Sequence, residues 1–256
     1  MKGIIRQLSI IFFTLGTLVV NYLANAIPLG GMNTGQVADQ YKIFFFPQSY
    51  VFSIWGLIYA FLIVFTIYQA LPSQRESKVF NSIAWPYILS CMANMVWIFM
   101  WHFNHVTLSV AVMFIILASL IWIYAKLGIG FNKLKGANYW FLNITFSIYL
   151  GWISVASVAN ISGWLYSRDW NGFGLAPEIW TIIMLVVVFL LTGVMLFTRR
   201  DWAYGIVIIW ALVGIAMRYP ENKVVFIASL VTAGLVTIDI IIALVINNRK
   251  SMLQVK

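Results

Sequence analysis

Along the chain, apolar residues gather in blocks of roughly 18–24 positions, the length a helix needs to cross the hydrocarbon core of a bilayer. Eight blocks can be read: about Ile4 to Leu23, Tyr50 to Leu71, Ala84 to Phe103, Val106 to Ala125, Tyr139 to Ala159, Glu178 to Phe197, Trp202 to Met217 and Val224 to Ile246. Only Asn104 and His105 part the third block from the fourth, so these two should be antiparallel neighbours. Residues 25–49 form a polar, glycine-containing connection that ends in Phe44-Phe45-Phe46 and Pro47. A proline suits the start of a helix, where its missing N–H costs nothing. Pro72 stops the second block, and a loop rich in Gly, Asn and aromatics occupies residues 161–177. The pattern predicts an all-α, polytopic integral membrane bundle of about eight transmembrane helices. The first block also admits a second reading. A basic start, an apolar stretch and Ala24-Asn25-Ala26 resemble a cleaved signal, whose removal would leave seven spans with unchanged orientation.

Composition agrees. The chain is 62% hydrophobic and only 9% charged, against about 25% charged for a soluble domain. A net charge of +9 would suggest nucleic acid in a soluble protein. Here topology explains it better. Alternate loops and ends hold Lys2, Arg6, Arg75, Lys78, Lys126, Lys133, Lys135, Arg199, Arg200, Arg249, Lys250 and Lys256, twelve in all. The opposite loops hold four: Lys42, Arg168, Arg218 and Lys223. The positive-inside rule then puts both termini in the cytoplasm of a cell-membrane protein, with 161–177 outside. Arg6 should snorkel to the interface.

Catalytic constellations are missing from the sequence, which argues against an ordinary enzyme. The lone Cys91 excludes an intrachain disulfide and a cysteine-based metal site. His102 and His105 share a helical face, where they could bind a metal or haem iron but read more simply as an interfacial pair. Asp239 is the one charge well inside a block. Such a carboxylate costs about 2.5–3.5 kcal/mol to insert, so it should face the bundle or a water-filled cavity, as a functional group or as a protonated structural one. Phe52-Ser53-Ile54 and Phe146-Ser147-Ile148 hint weakly at internal repetition.

Aromatic and amide spacing says more. Trp55, Tyr59, Thr66 and Gln69 share one helical face; Asn94, Trp97 and Trp101 share another; Tyr149, Trp152, Ala156 and Asn160 a third. An amide in hydrocarbon needs a partner, so Asn94 should point inward and bring Trp97 with it. Three such faces meeting would form a flat-walled pocket for a planar, mostly apolar ligand. Other tryptophans, such as Trp85 and Trp140, lie near block ends, where interfacial belts sit.

These residues carry a family resemblance. PQSYVFSIWGLIYAFLIVFTIYQ (47–69), WPYILSCMANMVWIFMW (85–101) and FSIYLGWISVASVAN (146–160) resemble the second, third and fifth helices of the TspO/MBR family, the tryptophan-rich sensory proteins. The resemblance implies a five-helix transmembrane unit over residues 1–160, then the loop, then three additional helices and a basic tail in 178–256. It implies no required cofactor, but a tetrapyrrole ligand such as porphyrin or haem, sometimes a sterol, and often a homodimer. Carried over by position, Trp55, Asn94, Trp97 and Trp152 would line the site, with Tyr59 and Asn160 beside them. The sequence departs from the family where a Pro-Pro pair is reduced to Pro47-Gln48 and where Lys42 lacks the usual Lys-Pro-x-Trp. The leading expectation is a sensor-like membrane protein that binds a small hydrophobic ligand and no nucleic acid. The alternative is a secondary transporter coupled to an ion through Asp239.

Overall fold

The computed structural model describes residues 2–132 and 134–253, with side chains up to Ile246. The cytoplasmic positions expected for Lys133, Arg249, Lys250 and Lys256 therefore lie outside the described residues or side chains. All eight predicted blocks are helices: α1 (Gly3–Ala26), α3 (Ile54–Ala70), α4 (Lys78–His102), α5 (Val106–Leu127), α6 (Thr145–Tyr166), α7 (Pro177–Arg199), α8 (Trp202–Arg218) and α9 (Lys223–Leu253). A short helix, α2 (Thr34–Asp39), interrupts the first connection. A 3-10 turn, Ser49–Ser53, leads into α3, and a π-helical turn, Tyr139–Ile144, leads into α6. Among the described residues, seven helical segments are long and apolar enough to span a membrane. The eighth, α8, has 17 residues, about 26 Å at helical rise. It is the most enclosed of the C-terminal helices.

The helices α1, α4, α5 and α6 pack in sequence around a common interior, and α3 closes the ring between α6 and α1. On the outer side of α6 lies α8, with α7 and α9 packed on it. Small residues set the α6–α8 crossing: a Cβ on Gly151 would sit 3.2 Å from Val207 Cβ and 3.3 Å from the Tyr204 carbonyl. Close approach at glycine is how helices associate in lipid, where no hydrophobic force separates helix from solvent.

Helix α1 shows the inside-out logic most plainly. Its buried residues are Arg6, Gln7, Ile10, Thr14, Thr17, Asn21 and Ala24, mostly polar, while Ile5, Phe12, Leu15, Val19 and Tyr22 are exposed. Each of these buried polar side chains bonds to protein through at least one atom, as hydrocarbon requires, with Arg6 Nε alone among the α1 groups left over. Gln7 and Gln69 donate to each other's backbone carbonyls at 2.9 and 3.2 Å. The Thr14 hydroxyl meets Tyr87 Oη at 2.7 Å and accepts from Thr66 at 3.0 Å. Asn21 donates to Asn94 Oδ1 at 2.7 Å.

Three expectations change. Arg6 does not snorkel; it is fully buried and donates to the carbonyls of Gln74 (2.8 Å) and Ser77 (3.4 Å) and to Asn81 Oδ1 (2.9 Å). The free carbonyls that follow α3 attract it more than the interface does. Helix α6 runs past Ala159 to Tyr166, since Ile161 to Tyr166 continue its hydrogen bonding, which shortens the loop that follows. The two Phe-Ser-Ile segments occupy different structures: Phe52 and Ser53 lie in the 3-10 turn with Ile54 opening α3, whereas the other lies within α6.

Asp201 caps α8 at the corner after α7, accepting from the Tyr204 N–H at 3.1 Å. Its Oδ2 also accepts from Tyr124 Oη of α5 (2.7 Å) and Ser147 Oγ of α6 (2.6 Å), so it joins the ring to the C-terminal helices. Burial holds this carboxyl above the usual carboxylate range, and the bonds from Ser147 and Tyr124 pull it back. A carboxyl raised on folding contributes most when protonated, so its contribution is complete below about pH 4 and declines as pH rises through the folded value. Asp201→Asn, neutral throughout, should therefore flatten the fall in melting temperature above about pH 4. Thermal denaturation in detergent across pH checks this, and parallel curves for the two proteins would refute it.

Candidate functional site

The three predicted faces do meet. Trp55 of α3 lies 6.4 Å from Trp97 of α4 and 6.3 Å from Trp152 of α6, ring centroid to centroid. The first pair is tilted and the second edge-to-face, geometries that favour aromatic pairs. Trp97 stacks on Trp101 at 5.7 Å, and Trp55 on Tyr59 at 5.5 Å. All four tryptophans are buried, whereas Trp85 and Trp140 are exposed on the outside, as belt residues are.

Residues 40–53, between α2 and α3, form a strap across one end of this cluster. Phe46, Pro47 and Phe52 of the strap line the same cavity as Trp55, Trp97, Trp101 and Trp152. Phe46 and Tyr41 stack with Trp101, and Phe52 meets Trp152 edge-on at 5.6 Å. The cavity itself holds only about 20 Å³, room for a single water and far below the roughly 300–1,000 Å³ of small-molecule sites. The flat-walled pocket expected from the sequence is thus closed: the rings pack on one another.

The amides are already engaged. Asn94, expected to contact ligand, accepts from Asn21 and donates to Tyr149 Oη at 3.3 Å. Asn160 accepts from Trp97 Nε1 at 3.1 Å and donates to Ser109 Oγ at 2.9 Å. Two buried groups beside the cluster have no partner, Trp152 Nε1 and Tyr59 Oη. An unpaired buried donor is costly, so these two are the polar groups free for an incoming molecule. Beside the cluster, between α1 and α3, an open groove of about 760 Å³ is lined by Asn21, Asn25, Thr34, Ser53 and Tyr59. Phe52 and Trp55 line both spaces and form the wall between them.

Asp239 is elsewhere. It is half-buried on α9, at the edge of the face that buries Val236, Ile240 and Ala243, and lines neither the cavity nor the groove. The histidines are not a pair. His102 is buried, donating from Nδ1 to the Leu29 carbonyl (3.1 Å) and accepting at Nε2 from Thr34 (3.1 Å), while His105 is exposed at the start of α5. A carbonyl can only accept, which fixes that tautomer and commits both nitrogens. No group of three or more His, Cys, Asp or Glu suited to a metal occurs among the described residues. Sequence reasoning missed Asp201, Phe46, Phe52 and Asn21; Asn21 was legible as one of the polar residues on an otherwise apolar α1.

Replacing Asn160 with Leu should orphan the Trp97 N–H, while the Ser109 hydroxyl keeps its bond to the Val106 carbonyl, costing about 1–3 kcal/mol. Ser162→Ala, which removes a bond to its own helix at Val158, should stay within about 0.5 kcal/mol. Comparative melting in detergent decides; equal losses would contradict the assigned network.

Comparison with known families matches the chain to the TSPO-like protein family across residues 7–242, a span that takes in the C-terminal helices as well as the aromatic ring. No curated protein and no solved structure matches it significantly. With a family match over nearly its whole length, this multi-pass membrane protein belongs to the TSPO-like family.

Proposed function

We propose that the chain acts by binding rather than by catalysis, taking a planar hydrophobic ligand of the tetrapyrrole class between Trp55, Trp97 and Trp152. The observation that carries this reading is the convergence of indoles from three helices beside two buried donors without partners, Trp152 Nε1 and Tyr59 Oη. Flat aromatic walls suit a macrocycle, and the free donors suit its polar atoms. The volume does not suit it in the closed arrangement, so binding requires the rings or the strap to move. The cavity lining includes no His, Cys or Met, the usual side chains that hold haem iron. A metal-free porphyrin therefore fits the lining better than haem does. The ring α1 and α3–α6 would be the binding unit, with both termini cytoplasmic and the strap on the outer side of a cell membrane.

Protoporphyrin should quench tryptophan fluorescence saturably in detergent, at least as strongly as haemin at equal concentration. Tyr59→Phe removes a hydroxyl that has no partner, so it should leave the ligand-free melting temperature unchanged or raised while weakening binding by roughly tenfold. Trp152→Phe should weaken it similarly. Absence of saturable quenching in the unaltered protein would end this reading.

A further inference from the structure

No described side chain of the three C-terminal helices lines the aromatic cavity, yet α8 holds its cover. Trp210, Gly214 and Arg218 lie four residues apart on one face of α8. Trp210 Nε1 donates to the Val51 carbonyl at 3.0 Å, and the Gly214 carbonyl accepts from the Gln48 N–H at 3.0 Å. The Arg218 guanidinium donates to the carbonyls of Pro47 (3.1 Å) and Tyr41 (3.3 Å) and pairs with Asp39 at 3.1 Å. Just beyond the helix, Tyr219 Oη donates to the Ile43 carbonyl at 2.7 Å, and its ring meets Phe44 edge-on at 5.0 Å. Gly214 is needed for the contact: a Cβ there would run into Val51.

The distribution of these bonds is telling. Among the described residues, every hydrogen bond from positions 42–52 to a helix other than α3, into which they lead, goes to α8 or to Tyr219. Towards the cavity the same segment offers only ring packing, from Phe46, Pro47 and Phe52. The strap is therefore hydrogen-bonded to the C-terminal helices and merely stacked on the site it covers. The ion pair itself adds little, since Asp39 is 45% exposed. The bonds to backbone carbonyls carry the attachment, three of them to the end of α8 or the residue after it.

We infer that α8 is the latch of the strap, so that the C-terminal helices set how fast molecules enter and leave the aromatic site. Arg218 and Tyr219 are positioning residues that act through the strap and touch no ligand. The part of the inference that concerns ligand traffic rests on the binding reading above; the attachment of the strap does not.

The test separates the two. Hydrogen–deuterium exchange is measured on the full chain in detergent for the unaltered protein, for Tyr219→Phe, and for Arg218→Gln combined with Tyr219→Phe. Peptides covering residues 41–53 should exchange about tenfold faster or more in the double variant, and by a smaller factor in Tyr219→Phe. Peptides from α4 should keep their rate, which also reports that the bundle is folded. Stopped-flow mixing with protoporphyrin should show association and dissociation both accelerated, with a smaller change in their ratio. Unchanged exchange in the strap of a folded Tyr219→Phe and double variant overturns the latch. If the unaltered chain takes up no protoporphyrin, the binding reading fails, and strap exchange still decides for or against the latch.

Discussion

A polar side chain inside a bilayer has only protein to bond to, and the architecture of this molecule follows from that constraint. Asn94, fully buried on α4, needs partners for both halves of its amide. It finds them on α1, through Asn21, and on α6, through Tyr149. Those two bonds fix how three helices are rotated about their axes. Rotation in turn decides where neighbouring indoles point: Trp97, three residues on from Asn94, and Trp152, three residues on from Tyr149, must face the same interior. The aromatic cluster is thus a consequence of amide satisfaction as much as of aromatic attraction. At the cytoplasmic end proposed here, Arg6 and the Gln7–Gln69 exchange do the same for α1 and the end of α3.

The closed state of the cluster has an energetic meaning. Three pairings, Trp55–Trp97, Trp55–Trp152 and Trp97–Trp101, would be disturbed by a planar guest. At about 0.5–1.5 kcal/mol each, they amount to roughly 1.5–4.5 kcal/mol that the guest must restore by its own stacking. A flat ring can do so face by face, whereas a compact aliphatic molecule cannot. The closed cluster therefore discriminates by shape: its own packing is the competitor that a ligand has to displace, and the apparent affinity is lowered by the rarity of the open form.

How much of this was readable in advance depends on the range of the interactions. The helices and their inward faces were legible because both are local: block length marks a span, and spacing of three, four or seven puts Trp97 beside Asn94. Helix ends were less so, as α6 shows by continuing past Asn160 through residues whose Gly and Ser content reads as loop. The buried aspartate was harder to pick out for a physical reason. Insertion cost drew attention to Asp239 at the centre of a block, but Asp201, at a helix corner, is the more buried and the better bonded. Depth in the sequence block does not measure burial in the fold. The strap was the least legible part. Its hold depends on Arg218 meeting the carbonyl of Pro47, 171 positions away, and a backbone acceptor leaves no trace in side-chain spacing.

The same helix meets the site twice, and this limits how the site can open. Through Gly151, α8 is packed directly against α6, whose other face carries Trp152 and Asn160 into the cluster. Through Gly214 and Arg218, it holds the strap that presses Phe52 on Trp152. Cover and wall are therefore fastened to one rigid element. A close-packed crossing at glycine does not deform gradually, because any shift brings backbone and side chain into overlap. A displacement of α8 would move cover and wall together, so opening through α8 should be a discrete step between two packings. If the strap alone detached, Phe46 and Phe52 would lift while Trp97 stayed bonded to Asn160, and the indole pairs would part only as a guest entered. The geometry thus favours an opening in which the cover moves first, over helices that Asn94 and Asn160 keep in place while the rings give way to the guest.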